Sequence, residues 1–139
     1  MSFIVIEGEA YILKIHDDNF LEFIVKEDAL MDTSVANEVS RILSEYRPGV
    51  KYFVLAEGQG VFKVTKELRE LCASEVFSAG TYAVAFHTTN PSMKLLGELY
   101  ININKPVVPT RIFYSRQSAW EWLQEKMAEA MVQVRKAQG

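Results

Sequence analysis

Two short apolar runs, Tyr52 to Ala56 and Thr81 to Phe86, constrain this chain more than any other feature. Each is continuous and does not alternate, and turn formers precede each, Pro48-Gly49 in one case and Ser78-Ala79-Gly80 in the other. A strand apolar on both faces must be covered on both, which is the situation of a central strand in a parallel sheet. Around these runs the period becomes helical. Val35, Val39, Ile42, Leu43 and Tyr46 fall on one face of a helix that a side chain at Asp32 or Thr33 can cap. Thr65 caps a second helix, with Leu68, Leu71 and Cys72 inward and its stop at Ser78-Ala79-Gly80. Asn90-Pro91 opens a third through Met93, Leu96, Leu99 and Tyr100, because proline suits a first turn; Tyr100 to Asn104 also reads as alternating, which leaves its end open. Pro106 and Pro109 lead into a strand from Thr110 to Tyr114. Ser115 then caps a final helix with Ala119, Trp122, Leu123 and Met127 inward.

The first quarter reads differently. Tyr11, Leu13 and Ile15 alternate with Ile12, Lys14 and His16, and beyond Asp17-Asp18-Asn19, Leu21, Phe23 and Val25 alternate with Glu22 and Lys26. This is an antiparallel hairpin, with Phe3 to Ile6 as an extra edge strand. Together the segments predict one α/β domain over residues 1–139: a mostly parallel sheet of four to six strands, an N-terminal antiparallel hairpin and about four helices.

Composition narrows the function. The net charge is −3 and the cations are scattered, so there is no electrostatic footprint for nucleic acid. No stretch approaches the ~20 apolar residues of a membrane span, and the short run Phe3 to Ile6 lacks the basic start of a signal peptide, so the expected location is cytoplasmic. The single Cys72 cannot form an intrachain disulfide and sits in a helical pattern, where a buried, inert thiol is expected.

No complete catalytic constellation appears, and no cofactor or metal is expected. His16 and His87 belong to none of the nucleophile–histidine or metal-binding patterns, and the acids Asp17, Asp18, Glu7 and Glu9 lack His or Cys at ligand spacing. His87 does lie at the end of a core strand, where open α/β sheets bind ligands, so His87, Thr88, Thr89, Asn90 and Met93 form the candidate ligand-binding set. An enzyme would have to assemble Glu57, His87 and Thr89 from separate strand ends. Gly58 and Gly60 follow the first buried run, but Lys63 occupies the place of the third glycine of a dinucleotide fingerprint, and turn glycines explain them better. Thr65, beside Lys66, is a helix cap and a candidate phosphoacceptor, because phosphate there meets the positive end of a helix dipole. Two stretches carry more apolar residues than one inward face needs: Met93, Leu95, Leu96, Leu99, Tyr100, Ile101 and Ile103 in the third helix, and Trp120, Met131 and Val134 in the last. A partner subunit, a protein partner or an apolar ligand would cover them.

The order of elements resembles the STAS superfamily, and more closely its SpoIIAA-like (STAS/SEC14-like) small bacterial proteins. The strings Asn90-Pro91-Ser92-Met93, Asn104-Lys105-Pro106, Thr110-Arg111-Ile112-Phe113 and Ala119-Trp120-Glu121-Trp122-Leu123 carry the resemblance most specifically. In the anti-anti-sigma members, a serine capping the second helix is phosphorylated by a partner kinase. Val64-Thr65-Lys66-Glu67 stands at the corresponding junction, so the resemblance assigns that role to Thr65. It implies a noncatalytic regulatory domain that binds a protein partner through the Gly58 to Thr65 loop, the second helix and Thr88-Thr89-Asn90, with homodimerisation possible. The SEC14-like half of the label implies the alternative of a lipid or small-molecule pocket near the third helix.

Overall fold

The computed structural model describes residues 2–138. Six strands form one mixed sheet: β1 (Phe3–Glu7), β2 (Tyr11–His16), β3 (Phe20–Val25), β5 (Tyr52–Gly58), β7 (Thr81–His87) and β8 (Thr110–Phe113), in that spatial order. The first three are antiparallel, and from β3 onward every pairing is parallel. A second, two-stranded parallel ribbon pairs β4 (Leu30–Met31) with β6 (Lys63–Val64). The hairpin and the parallel centre expected from the sequence are both present.

Each long helix starts where its cap predicts. The Asp32 carboxylate accepts the Val35 N–H at 3.1 Å and opens α1 (Thr33–Tyr46). Thr65 Oγ1 accepts the Leu68 N–H at 3.2 Å and opens α2 (Lys66–Ala73). Asn90 accepts the Met93 N–H at 3.1 Å, and Pro91 sits in the first turn of α4 (Pro91–Asn104). The Ser115 hydroxyl accepts the Ser118 N–H at the start of α5 (Arg116–Gln138).

The structure corrects several expectations. The second crossover is two helices, because Ser74 is extended and its hydroxyl donates to the Leu71 carbonyl, ending α2 before the single turn α3 (Glu75–Ser78). Among the described residues the helices therefore number five. Tyr100 to Asn104 is helical: Lys105 adopts a left-handed conformation, donates its N–H to the Ile101 carbonyl, and Pro106 prevents continuation. Tyr46, expected inward, is 44% exposed in the last turn of α1. Trp120, expected to overhang the sheet, packs on Phe20 with ring centroids 4.9 Å apart.

The core lies on both faces of the sheet. On one face Tyr11, Leu13, Ile15, Leu21 and Val54 pack with Val39 of α1. Toward the C-terminal ends of the parallel strands the same layer continues through Val25, Phe62, Leu68 of α2 and Met93 of α4. On the other face Phe53, Leu55, Ala83 and Ala85 lie under Ala119 and Leu123 of α5, and the three small alanines let that helix approach closely. The strands β5 and β7 are thus sandwiched, as their continuous apolar character demands.

Candidate functional site

The loops at the C-terminal ends of the parallel strands gather most of the residues singled out in the sequence. Gly58 ends β5 with the Phe62 ring so close that an added Cβ would sit 2.6 Å from it. Gly60 adopts φ +77°, and a Cβ there would meet the Glu27 carboxylate at 2.9 Å. Gly60 is a turn glycine, Gly58 is the last residue of β5 and pairs with Val25, and the carboxylate beside Gly60 opposes any anion. Thr65 is half-buried, with its hydroxyl oxygen engaged by the Leu68 N–H, while Lys66 is exposed one residue later.

The ligand-binding set divides. Thr88 is 2% exposed and its hydroxyl accepts the Asn90 N–H; Met93 is buried against the Val25–Phe62–Leu68 layer. Both are structural in place, Asn90 is a cap, and only Thr89 is exposed. His87 Nε2 donates to the Tyr114 carbonyl at 3.2 Å, and its Nδ1 lies 3.9 Å from the Glu57 carboxylate. The Glu57–His87 pair expected from separate strand ends does come together, without Thr89.

That pair belongs to a longer row that sequence reasoning missed. Arg116, in the first turn of α5, reaches Glu22 of β3 with one guanidinium nitrogen and Glu57 of β5 with the other. His16 of β2 lies 3.2 Å from the second oxygen of Glu22. The order across the sheet is His16, Glu22, Arg116, Glu57, His87. Glu22 is only 8% exposed. Burial pushes its carboxyl pKa up, yet the hydrogen bonds from Arg116 and His16 and their charges outweigh burial and hold it below the ordinary 4.5. The signal was present: Phe20, Glu22 and Ile24 share one face of a strand, and a lone carboxylate among apolar neighbours needs a partner. Chemically the row is a network whose polar atoms are engaged with one another, and it ties α5 to β3 and β5 through Arg116. Cys72 behaves as expected, its thiol pushed up to about 11 by burial.

A cleft of about 460 Å³ opens between the β2–β3 hairpin and the start of α1, with Glu9, Glu27, Asp28, Asp32 and Glu38 in its walls. Tyr11 at its base donates to Glu38 and is pushed up to about 12, by burial first and then by that hydrogen bond. The lining is acidic. Among the described residues, no group of three or more His, Cys, Asp or Glu side chains is placed to hold a metal ion.

The apolar surplus of α4 faces outward. Its inner side is seated by Met93 and by Gly97, where a Cβ would lie 2.9 Å from Ile112 Cδ1, so a larger residue there would require the end of the Ile112 side chain to shift. On the opposite side Leu95, Leu96, Leu99 and Ile103 are 58, 56, 44 and 74% exposed. Positions 96, 99 and 103 recur at three and four residues, so they form one stripe along the solvent side. No charged side chain interrupts it. Lys94 and Glu98 run along its flank, paired with each other at 3.1 Å. Among the described residues, no helix is long and apolar enough to cross a membrane.

This architecture, antiparallel strands leading into a parallel sheet with a long helix on its second face, is that of the SpoIIAA-like fold. The crystal structure of an uncharacterized protein of the DUF3478 family with a SpoIIAA-like fold, from Shewanella loihica PV-4, matches with a TM-score of 0.53 at 12% identity, over 88% of this chain and 92% of that one. The model of DUF7793, a domain of unknown function, matches residues 13–127, and the chain belongs to that family. No curated protein matches it in sequence.

Proposed function

We propose that this protein is a noncatalytic interaction domain that engages a protein partner through the outward stripe of α4 and the neighbouring loop ends. The observation that carries this reading is a helix apolar on two opposite sides, one packed on β8 and α2 and the other bare. Soluble domains seldom leave a contiguous apolar stripe uncovered unless something binds it. The stripe faces outward, which favours a macromolecular partner over an enclosed small apolar ligand. The reading is also supported by the mutual engagement of Glu22, Arg116, Glu57 and His87, which leaves no evident base poised beside a nucleophile. Thr65 extends the proposal. Phosphate on its hydroxyl would stand at the N-terminus of α2, next to α4, and would add close to two negative charges there.

The test is affinity capture with wild-type, Leu96→Glu, Thr65→Ala and Thr65→Glu proteins as bait, followed by identification of the captured proteins. Wild type is expected to retain a partner that Leu96→Glu loses while its circular dichroism stays unchanged. Identical capture by wild type and Leu96→Glu, together with a wild-type protein that stays monomeric at every concentration, would remove the reading. Equal capture by Thr65→Ala and Thr65→Glu would remove only the phosphorylation switch.

A further inference from the structure

We infer that the stripe of α4 pairs with the same stripe of a second copy, the two helices lying antiparallel across a two-fold axis near Leu99. This rests on the interaction reading above and names its partner.

Two observations favour a second copy, and a third bounds how tightly it is held. The first is charge. The stripe itself carries none, and the flanking Lys94 and Glu98 neutralise each other at 3.1 Å, with Lys94 also held 4.6 Å from the Tyr114 ring centroid. Such a surface gives an acidic or basic partner nothing to recognise, and it does not repel its own copy. The second is spacing. Leu96, Leu99 and Ile103 follow the three–four repeat that lets helices interlock at a shallow crossing angle. About an antiparallel two-fold through Leu99, Leu95 of one copy lies opposite Ile103 of the other, so each copy supplies both halves of every contact, as an isologous interface requires. The third is area. By their fractional exposures the four side chains offer on the order of 400 Å² of apolar surface, about half of the ~800 Å² each partner gives to a standard interface. An interface of this size forms at high concentration and dissociates on dilution.

Sedimentation velocity over a dilution series tests the inference directly. The expected result is a monomer at roughly 1 μM and a dimer at several hundred micromolar. Leu99→Glu, which sets two like charges beside each other at the axis, is expected to stay monomeric throughout; so is Leu99→Lys. Mixing the two is expected to restore the dimer, which a merely misfolded variant would not do. Leu99→Cys is expected to cross-link under mild oxidation, whereas Val134→Cys on the exposed side of α5 is not. A wild-type monomer at every concentration, or a Leu99→Glu dimer as tight as wild type, overturns the inference. If wild type is monomeric yet Leu96→Glu loses a captured partner, the second copy is wrong and the interaction reading stands.

Discussion

The row beneath α5 and the stripe on α4 break the ordinary inside–outside rule in opposite directions. In the first, a carboxylate at 8% exposure is carried into the sheet and held there by the Arg116 guanidinium from the first turn of α5 and by the His16 ring from β2. In the second, four large apolar side chains stand in water with nothing against them. The contrast teaches which irregularity is internal to the fold. A buried charge that finds its counterions within its own chain is a packing solution, because removing any one member leaves another exposed to the cost of burial. An apolar stripe that finds no cover within its own chain is addressed to something else.

The largest effect should come from breaking the row. Arg116→Ala leaves Glu22 and Glu57 without their shared cation, and chemical denaturation should show a loss of about 2–3 kcal/mol, below the figure for a fully buried pair because Arg116 is itself half exposed. Adding Glu22→Gln should recover part of that loss; a double variant no more stable than Arg116→Ala would mean that Glu22 is not the strained partner.

Acid sharpens the same point. The folded pKa of Glu22 lies below its ordinary 4.5, so its contribution is fully present above pH 4.5 and fades as pH falls through the lower folded value. Thermal unfolding from pH 6 to pH 3 should therefore show a steeper decline in wild type than in Glu22→Gln. Parallel curves would take Glu22 out of the account.

Next in size is the seat of α4. Gly97→Ala places a methyl against the end of the Ile112 side chain and should cost no more than about 1 kcal/mol, because alanine's better helix propensity offsets part of the crowding; pairing it with Ile112→Val should remove the loss. Thr65→Ala removes one cap and should cost about 1 kcal/mol, with Thr65→Ser close to wild type. The smallest effect is expected on the stripe itself, where Leu96→Gln should change monomer stability by no more than about 0.5 kcal/mol. A large destabilisation there would show that the stripe is part of the fold after all, and the contrast between the two regions would collapse.

The sequence disclosed the fold because its local and global signals agree. Asp32, Thr65, Asn90 and Ser115 are capping residues at the points where the apolar period changes, and the runs at Tyr52 and Thr81 admit only a doubly covered strand. The break at Ser74 was hidden, because Leu68, Leu71 and Cys72 keep a helical period right up to it, and a serine that turns its hydroxyl back on Leu71 looks like any other serine. The two-residue ribbon was hidden as well, being too short to show a period. The row escaped for another reason. Its five members come from four strands and a helix and are drawn together only by the pairing of the sheet, so no spacing in the chain announces them. His87 and Glu57 could be nominated because strand ends are known places to look. Glu22 reads in the sequence as the polar side of an alternating strand, whereas β3 is covered on both sides.

The ribbon of β4 and β6 binds together more than two pairs of residues. Its first strand runs straight into the cap of α1 and its second into the cap of α2, and the Thr65 N–H donates to the Met31 carbonyl while the Lys63 N–H donates to that of Ala29. Opening it would unfasten both helix starts at once. The two crossovers, some thirty residues apart in the chain, are therefore expected to melt as a single cooperative unit, with amide exchange in their first turns rising and falling together.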